Sequence, residues 1–315
     1  MADRPGVSRR AMFGIGAGAV AAGAAAGYFA HDPLAEAVGA DSDVVDFYGT
    51  HQAGIVTEAQ DRMCFAAINV LTDDREELIE LLKTWTAAAA NLSQGLPVVE
   101  GGVADGSRYA PPEDTGEAQG LSAGHLTVTI GFGRSLFTDA EGKDRFGIGK
   151  KLPVGLIDLP HFPGDQLDEA RVGGDLCIQA CADDPQVAVH AVRNLIRMGF
   201  GIVSTKWMQL GFGRTASTSP VQETPRNLFG FKDGTANIRS DEDTALNENV
   251  WVRDGSWLDG GSFLVARRIR MHIETWDRES LDGQERIFGR TKMTGAPLSG
   301  GEEFTTPDFA MAGAG

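Results

Sequence analysis

Apolar positions beyond residue 45 alternate between two rhythms. The run Ala66-Ala67-Ile68-Asn69-Val70-Leu71 predicts a buried strand. Asp73 and Glu76 then form a capping box, and Leu78, Leu81, Leu82 and Trp85 recur at helical spacing. That pattern predicts an amphipathic helix over 74–90. Residues 99–124 lose the rhythm; rich in Gly, Pro, Asp and Glu, they predict a long mobile loop. A strand is predicted from Leu126 to Phe132. The order then recurs, with a strand from Asp175 to Ala182, a helix capped by Asp184 and opened by Pro185, and a strand from Gly201 to Leu210. Ala188, Val192, Leu195 and Ile196 form that helix's inner stripe, and Gly199 ends it. Two strand–helix–strand units imply a ferredoxin-like α+β domain over roughly 45–220.

A second domain begins near Thr224, with a strand predicted over Phe263–Trp276 and a short helix over 278–288. A second ferredoxin-like unit needs another helix and two more strands. After Gly300 the chain instead passes Glu302, Glu303 and Pro307 into a Gly/Ala tail. The expectation for 224–315 is therefore a truncated domain.

Residues 1–37 stand apart. A polar start with Arg4, Arg9 and Arg10 precedes an Ala/Gly-rich run over 11–30, and small-x-small cleavage candidates follow. The stretch Ser8-Arg9-Arg10-Ala11-Met12-Phe13 resembles a twin-arginine export signal. This implies the twin-arginine translocase as partner, a periplasmic or extracellular location, and cargo that often folds around a cofactor before export. The run is poor in transfer energy for a membrane anchor, the competing reading. Gly14, Gly16 and Gly18 lie inside it with no preceding strand, so they make no dinucleotide loop.

Composition narrows the partners. Hydrophobic residues are 42% of the 315, enough for a core, and the net charge of −16 opposes binding to phosphate backbones, so nucleic acid is excluded as a partner. Three cysteines make no disulfide scaffold. Cys177 and Cys181 lie roughly 13 Å apart along one strand, too far to bridge. All three read as small buried hydrophobes.

The sharpest chemical feature is Gly230-Phe231-Lys232-Asp233-Gly234-Thr235-Ala236-Asn237. By itself Lys-Asp-Gly is turn chemistry. Alternatively, it holds a carboxylate on a Gly-flanked loop whose backbone can approach a flat ligand closely. This stretch is similar to the GxxDG signature of dye-decolourising (DyP-type) haem peroxidases. Further blocks agree in order: Tyr48–Ile55, Leu159–Asp165, Gly174–Gln179, Gly261–Arg270, and Phe288-Gly289-Arg290 through Leu298. The likeness runs over about 45–300.

The resemblance implies two ferredoxin-like domains, haem b as cofactor, and hydrogen peroxide plus a bulky organic donor such as a dye as substrates. It gives Asp233 the distal acid–base role and Gly234, Thr235 and Ala236 the backbone contacts to haem. Trp207, Trp251, Trp257 and Trp276 are candidate surface radical sites, though each reads more readily as core packing. Family members commonly assemble as homo-oligomers.

In that family the proximal His and a distal Arg stand in stretches that do not occur here. His31, His51, His125, His161, His190 and His272 all lie in other contexts, and Arg267 and Arg268 read as salt-bridging or propionate-pairing residues. The metal ligand is therefore expected beyond Gly315, with the C-terminal part missing. Two other readings remain: a haem-binding, iron-releasing (deferrochelatase-like) protein, and a non-catalytic fragment.

Overall fold

A computed structural model describes residues 43–104, 106–213 and 223–311, which belong to one compact unit. The export-signal reading of residues 1–37 lies outside them. The first half contains β1 (Arg62–Val70), α1 (Arg75–Ser93), β2 (Thr127–Phe132), α2 (Arg134–Phe137), β3 (Leu176–Ala182), α3 (Pro185–Met198) and β4 (Val203–Phe212). The strands form an antiparallel sheet in the order β2-β3-β1-β4. The first strands of the two strand–helix–strand units are thus central, the ferredoxin-like arrangement expected from the pattern.

Register decides which side chains meet. Cys64 lies opposite Ala180 on one neighbour and Leu210 on the other. With a period of two, Cys64, Ala66, Ile68 and Val70 share a face with Leu176, Ile178, Ala180 and Ala182. They form one core with Leu81, Trp85 and Leu92 of α1 and Ala188, Val192 and Leu195 of α3. Each large side chain there contributes about 1.5–3 kcal/mol by leaving water. On the opposite face the Thr129 hydroxyl donates to the Ala53 carbonyl at 3.2 Å. Gly54 follows at φ +95°, and a Cβ there would stand 2.5 Å from the Thr129 hydroxyl oxygen. All three cysteines are free, Cys64 fully buried and Cys177 and Cys181 half-buried. Burial pushes the Cys64 and Cys181 thiols up to about 11, so neither is a ready nucleophile.

Local details differ from the expectations. β1 starts at Arg62, because pairing with Ala182 and Phe212 extends it beyond the apolar run. The α1 cap is Asp74, not Asp73. Its carboxylate accepts from Glu76 N at 2.8 Å and Glu77 N at 3.4 Å, while Asp73 accepts from Arg145 Nε at 2.9 Å. The loop over 99–124 is fastened to α3: Arg197 donates to the carbonyls of Glu113, at 2.7 Å, and Pro112. Thr115 N also donates to Asn194 Oδ1 at 3.2 Å.

Residues 223–311 carry α4 (Asp243–Asn249), α5 (Ile273–Trp276) and α6 (Leu281–Phe288), with isolated bridges Arg226–Lys232 and Arg290–Pro297. The α+β class holds. The strand expected over Phe263–Trp276 does not form: residues 263–272 are unpaired, Phe263, Leu264, Val265 and Ile269 are exposed, and the last four residues coil into α5. A strand is defined by a ladder, and among the described residues none runs beside this segment. The helix expected over 278–288 forms as α6, capped by Ser280 and ended by Gly289 at φ +67°.

Candidate active site

Asp233 follows directly on a closed turn. Arg226 and Lys232 bridge its ends, Asn227 N donates to Phe231 O at 2.9 Å, and Gly230 N returns to Asn227 O at 2.9 Å. The Asn227 side-chain oxygen fills the turn by accepting from Phe229 N at 3.0 Å and Phe231 N at 3.3 Å, which is why Asn suits this position. Asp233 N then donates to Pro225 O at 2.8 Å. Gly234 follows at φ +118°, a region disfavoured for residues with a Cβ, and its carbonyl accepts from Asn237 N at 3.0 Å.

The turn is seated on an aromatic cluster. Phe231 is buried and stacks on Phe288 of α6, with ring centroids 4.1 Å apart and planes 4° from parallel. Trp276 of α5 meets Phe231 edge-on and packs against Phe229 at 4.5 Å, while its indole N–H donates to Phe229 O at 3.2 Å. The Arg226 guanidinium donates to Gly230 O at 2.8 Å, Lys292 O at 2.6 Å and Met293 O at 2.8 Å, tying the turn to the segment after α6.

A half-buried ion pair closes the near side. Lys232 Nζ bonds Glu303 Oε2 and lies 3.5 Å from Glu223. The Thr235 hydroxyl donates to Glu303 Oε1 at 3.1 Å, and Arg290 donates to Glu303 O at 2.8 Å. Burial acts to raise the Glu303 carboxyl, but hydrogen bonds from Lys232, Thr224 and Thr235 outweigh it and hold the group below the usual carboxylate range. The hydrogen bond to Glu303 holds Lys232 above its ordinary value, against a smaller effect of desolvation. Asp233, one residue along, is left different: it is exposed, and no described residue pairs with its carboxylate. One turn therefore presents a free carboxylate beside a neutralised Lys–Glu pair.

Asp233, Gly234, Thr235 and Ala236 follow one another along the turn, with Asp233 and Ala236 exposed and Gly234 and Thr235 half-buried. Glu303, Glu223 and Arg290 escaped the sequence reading. Glu303 is 71 residues from Lys232, in a stretch with no motif of its own. Three of the described histidines are engaged elsewhere. His51 stacks on Trp251 at 3.7 Å and contacts Gly260 O at 2.9 Å, His125 pairs with Asp183, and His190 is buried against α3's neighbouring loop. None of the described histidines hydrogen bonds to the Asp233 turn. Among the described residues no group of three or more His, Cys, Asp or Glu is arranged to hold a metal ion.

Arg267 pairs with Asp165 at 2.7 Å and lies over the Phe162 ring, so two distant sequence blocks meet there. The tryptophans divide by environment. Trp251 is buried, Trp207 is half-buried against Phe65, and Trp276 is half-buried in the aromatic cluster. Trp257 is 46% exposed, with its N–H on Lys151 O at 2.7 Å.

Comparison with known proteins places the chain in a family. The family model for the Dyp-type peroxidase N-terminal domain matches residues 52–213, and that for the C-terminal domain matches 224–311. The expected loss of the C-terminal part is thereby corrected, since the C-terminal domain is present. Deferrochelatase of Escherichia coli (strain K12) is 39% identical over 270 residues, covering 84% of this chain and 62% of that protein. The chain thus spans about three fifths of the length of the curated relatives it matches. Ferric DtpA from Streptomyces lividans superimposes with a TM-score of 0.72 at 38% identity, covering 86% of this chain and 70% of that one. A DyP-type peroxidase from Cellulomonas bogoriensis gives 0.69 at 40% identity, covering 85% and 69%.

Proposed function

The chain belongs to the Dyp-type peroxidase family, and on that premise we propose that it is a haem-dependent peroxidase that reduces hydrogen peroxide and oxidises a bulky organic donor such as a dye. The observation that carries the reading is the exposed, unpartnered Asp233 carboxylate on a turn pinned by Arg226, Asn227 and the Phe231–Phe288 stack. The turn suits a flat ligand: Gly234 sits in backbone space that a side chain disfavours, and the Gly234–Ala236 backbone would hold the group. Haem b supplies redox-active iron when bound. No axial ligand is assigned among the described residues.

Asp233 works as a proton carrier in this reading. Its carboxylate would accept a proton from one peroxide oxygen and hand it to the other, and haem, when bound, would supply the electrons for reduction of the O–O bond. The neighbouring Lys232 ammonium is engaged by Glu303, so no ion pair ties the Asp233 carboxylate to it. Trp257, the most exposed of the four candidate tryptophans, is the preferred relay to a donor too large to enter.

Asp233→Asn keeps the turn but removes the base. In the haem-loaded chain it is expected to slow the peroxide-driven spectral change by about 100-fold or more in rapid mixing, with haem still bound. An unchanged rate removes Asp233 from the chemistry. Similarity to deferrochelatases favours a second reading, release of iron from haem. Recovery of intact protoporphyrin without donor oxidation would select it. We also propose that residues 1–37 direct export by the twin-arginine translocase. Arg9→Lys with Arg10→Lys should then retain the protein in the cytoplasm, and normal appearance outside it refutes that assignment.

A further inference from the structure

Arg226, Asn227 and the Phe231–Phe288 stack hold residues 226–231, before Asp233. The stretch from Asp233 to Ala236 needs anchors of its own, because Gly234 within it leaves the backbone a wide choice of directions. Two backbone bonds serve it: Asp233 N donates to Pro225 O at 2.8 Å, and Asn237 N to Gly234 O at 3.0 Å. The remaining anchor comes from far along the chain, as the side chain of Glu303.

Glu303 stands on a turn that is itself fixed. Thr305 N donates to Glu302 O at 3.0 Å, and Glu302 N donates to the Thr305 hydroxyl at 2.9 Å. Arg290 donates to the Glu303 carbonyl at 2.8 Å. From this base the carboxylate, 12% exposed, reaches both sides of the Asp233–Gly234 pair. Oε2 accepts from Lys232 Nζ, one residue before it, and Oε1 accepts from the Thr235 hydroxyl at 3.1 Å, one residue after it. A hydrogen bond from Thr224 ties in the opposite chain, whose next residue, Pro225, receives Asp233 N. Among the described residues no other side chain bonds on both sides of the pair. An ion pair so little exposed is a poor stabiliser next to apolar groups of the same volume, but its hydrogen bonds have direction.

We propose that Glu303 is a positioning residue: by stapling Lys232 to Thr235 it fixes the direction of the Asp233 carboxylate and of the Gly234–Ala236 backbone. The inference rests on the reading in which those residues face haem and peroxide, and it gives Glu303 no contact with either. Direction matters at this scale, since a displacement of about 1 Å in a preorganised site can cost about 100-fold in rate.

The test separates direction from stability. Lys232→Met with Glu303→Leu in the full chain puts apolar side chains in place of the pair and removes both arms of the staple. Urea unfolding reads stability, a Soret titration with hemin reads affinity, and rapid mixing of the loaded protein with peroxide reads rate, each with and without Asp233→Asn. The expected result is a urea midpoint near that of wild type, with hemin binding and rate each reduced about tenfold or more. In the Asp233→Asn chain the double change should weaken hemin binding by the same factor yet slow the rate less than about twofold further, because a misdirected base and an absent one are alike. Unchanged hemin affinity and rate in the stable double variant overturn the proposal, as does equal slowing with and without Asp233. Should the double variant be unstable, Thr235→Val, which removes the Oε1 arm alone, decides by the same measures, with losses of about threefold or more expected. If Asp233→Asn by itself leaves the rate unchanged, the proton-carrier reading fails; hemin affinity then decides the part of Glu303 alone, weaker binding sustaining it and equal binding overturning it.

Discussion

Replacing Glu117 by Gln removes one charge from the cluster that clamps the loop over 99–124 onto α3. The wild-type carboxyl is only 16% exposed, accepts from Thr115 and His190, and pairs with Arg193. These contacts bring it from 4.5 to about 2. At about 1.4 kcal/mol per unit, the depression corresponds to on the order of 3 kcal/mol of folded-state stabilisation. The pKa is lowered on folding, so this stability is fully present above pH 4.5 and is lost as pH falls towards 2. Urea unfolding of both chains between pH 7 and pH 2 measures it. The variant should be less stable by about 2–3 kcal/mol at pH 7, and the gap should close as the solution is acidified. Other carboxylates titrate in both chains and cancel in the difference. Curves that stay parallel from pH 7 to pH 2 would refute the reasoning, because they would mean that Glu117 protonates alike in folded and unfolded chains.

Two further perturbations test the frame of the fold and of the site. Asp74→Ala should cost about 1 kcal/mol in thermal or urea unfolding, and Asp73→Ala less than about half of that, since only Asp74 accepts from the first-turn amides and the Asp73–Arg145 pair is exposed on the Asp73 side. Glu303→Ala strands Lys232, which is 10% exposed, with only the exposed Glu223 as partner; it should cost about 3 kcal/mol and open the Asp233 turn to limited proteolysis. The double change Lys232→Met with Glu303→Leu should recover most of that loss, whereas equal damage in both variants would mean that the ion pair is not what holds the turn.

The ferredoxin-like half was readable because its information is local. The stripe Leu78, Leu81, Trp85 and the alternation through Leu176, Ile178, Ala180 and Ala182 are periodic patterns, and an antiparallel sheet with helices on one face is their compact solution. The Asp233 turn was readable for the same reason, since Asn227, Gly230 and Gly234 satisfy its backbone within eight residues. Pattern failed where geometry depends on partners. Phe263–Ile269 has strand composition but no ladder beside it, and Asp73 fitted a cap that Asp74 took once Arg145, 72 residues away, had engaged Asp73.

The order of elements in the first half, the carboxylate on its turn and the family to which it belongs were thus written in the sequence itself, in residues close enough to be read together. The pairing of Lys232 with Glu303 and the closing of Asp114 and Glu117 around His190 were decided only by the tertiary structure. A charge finds its partner through space, and burial then sets the strength of the contact; neither distance nor burial has a signature in residues 71 or 73 positions apart.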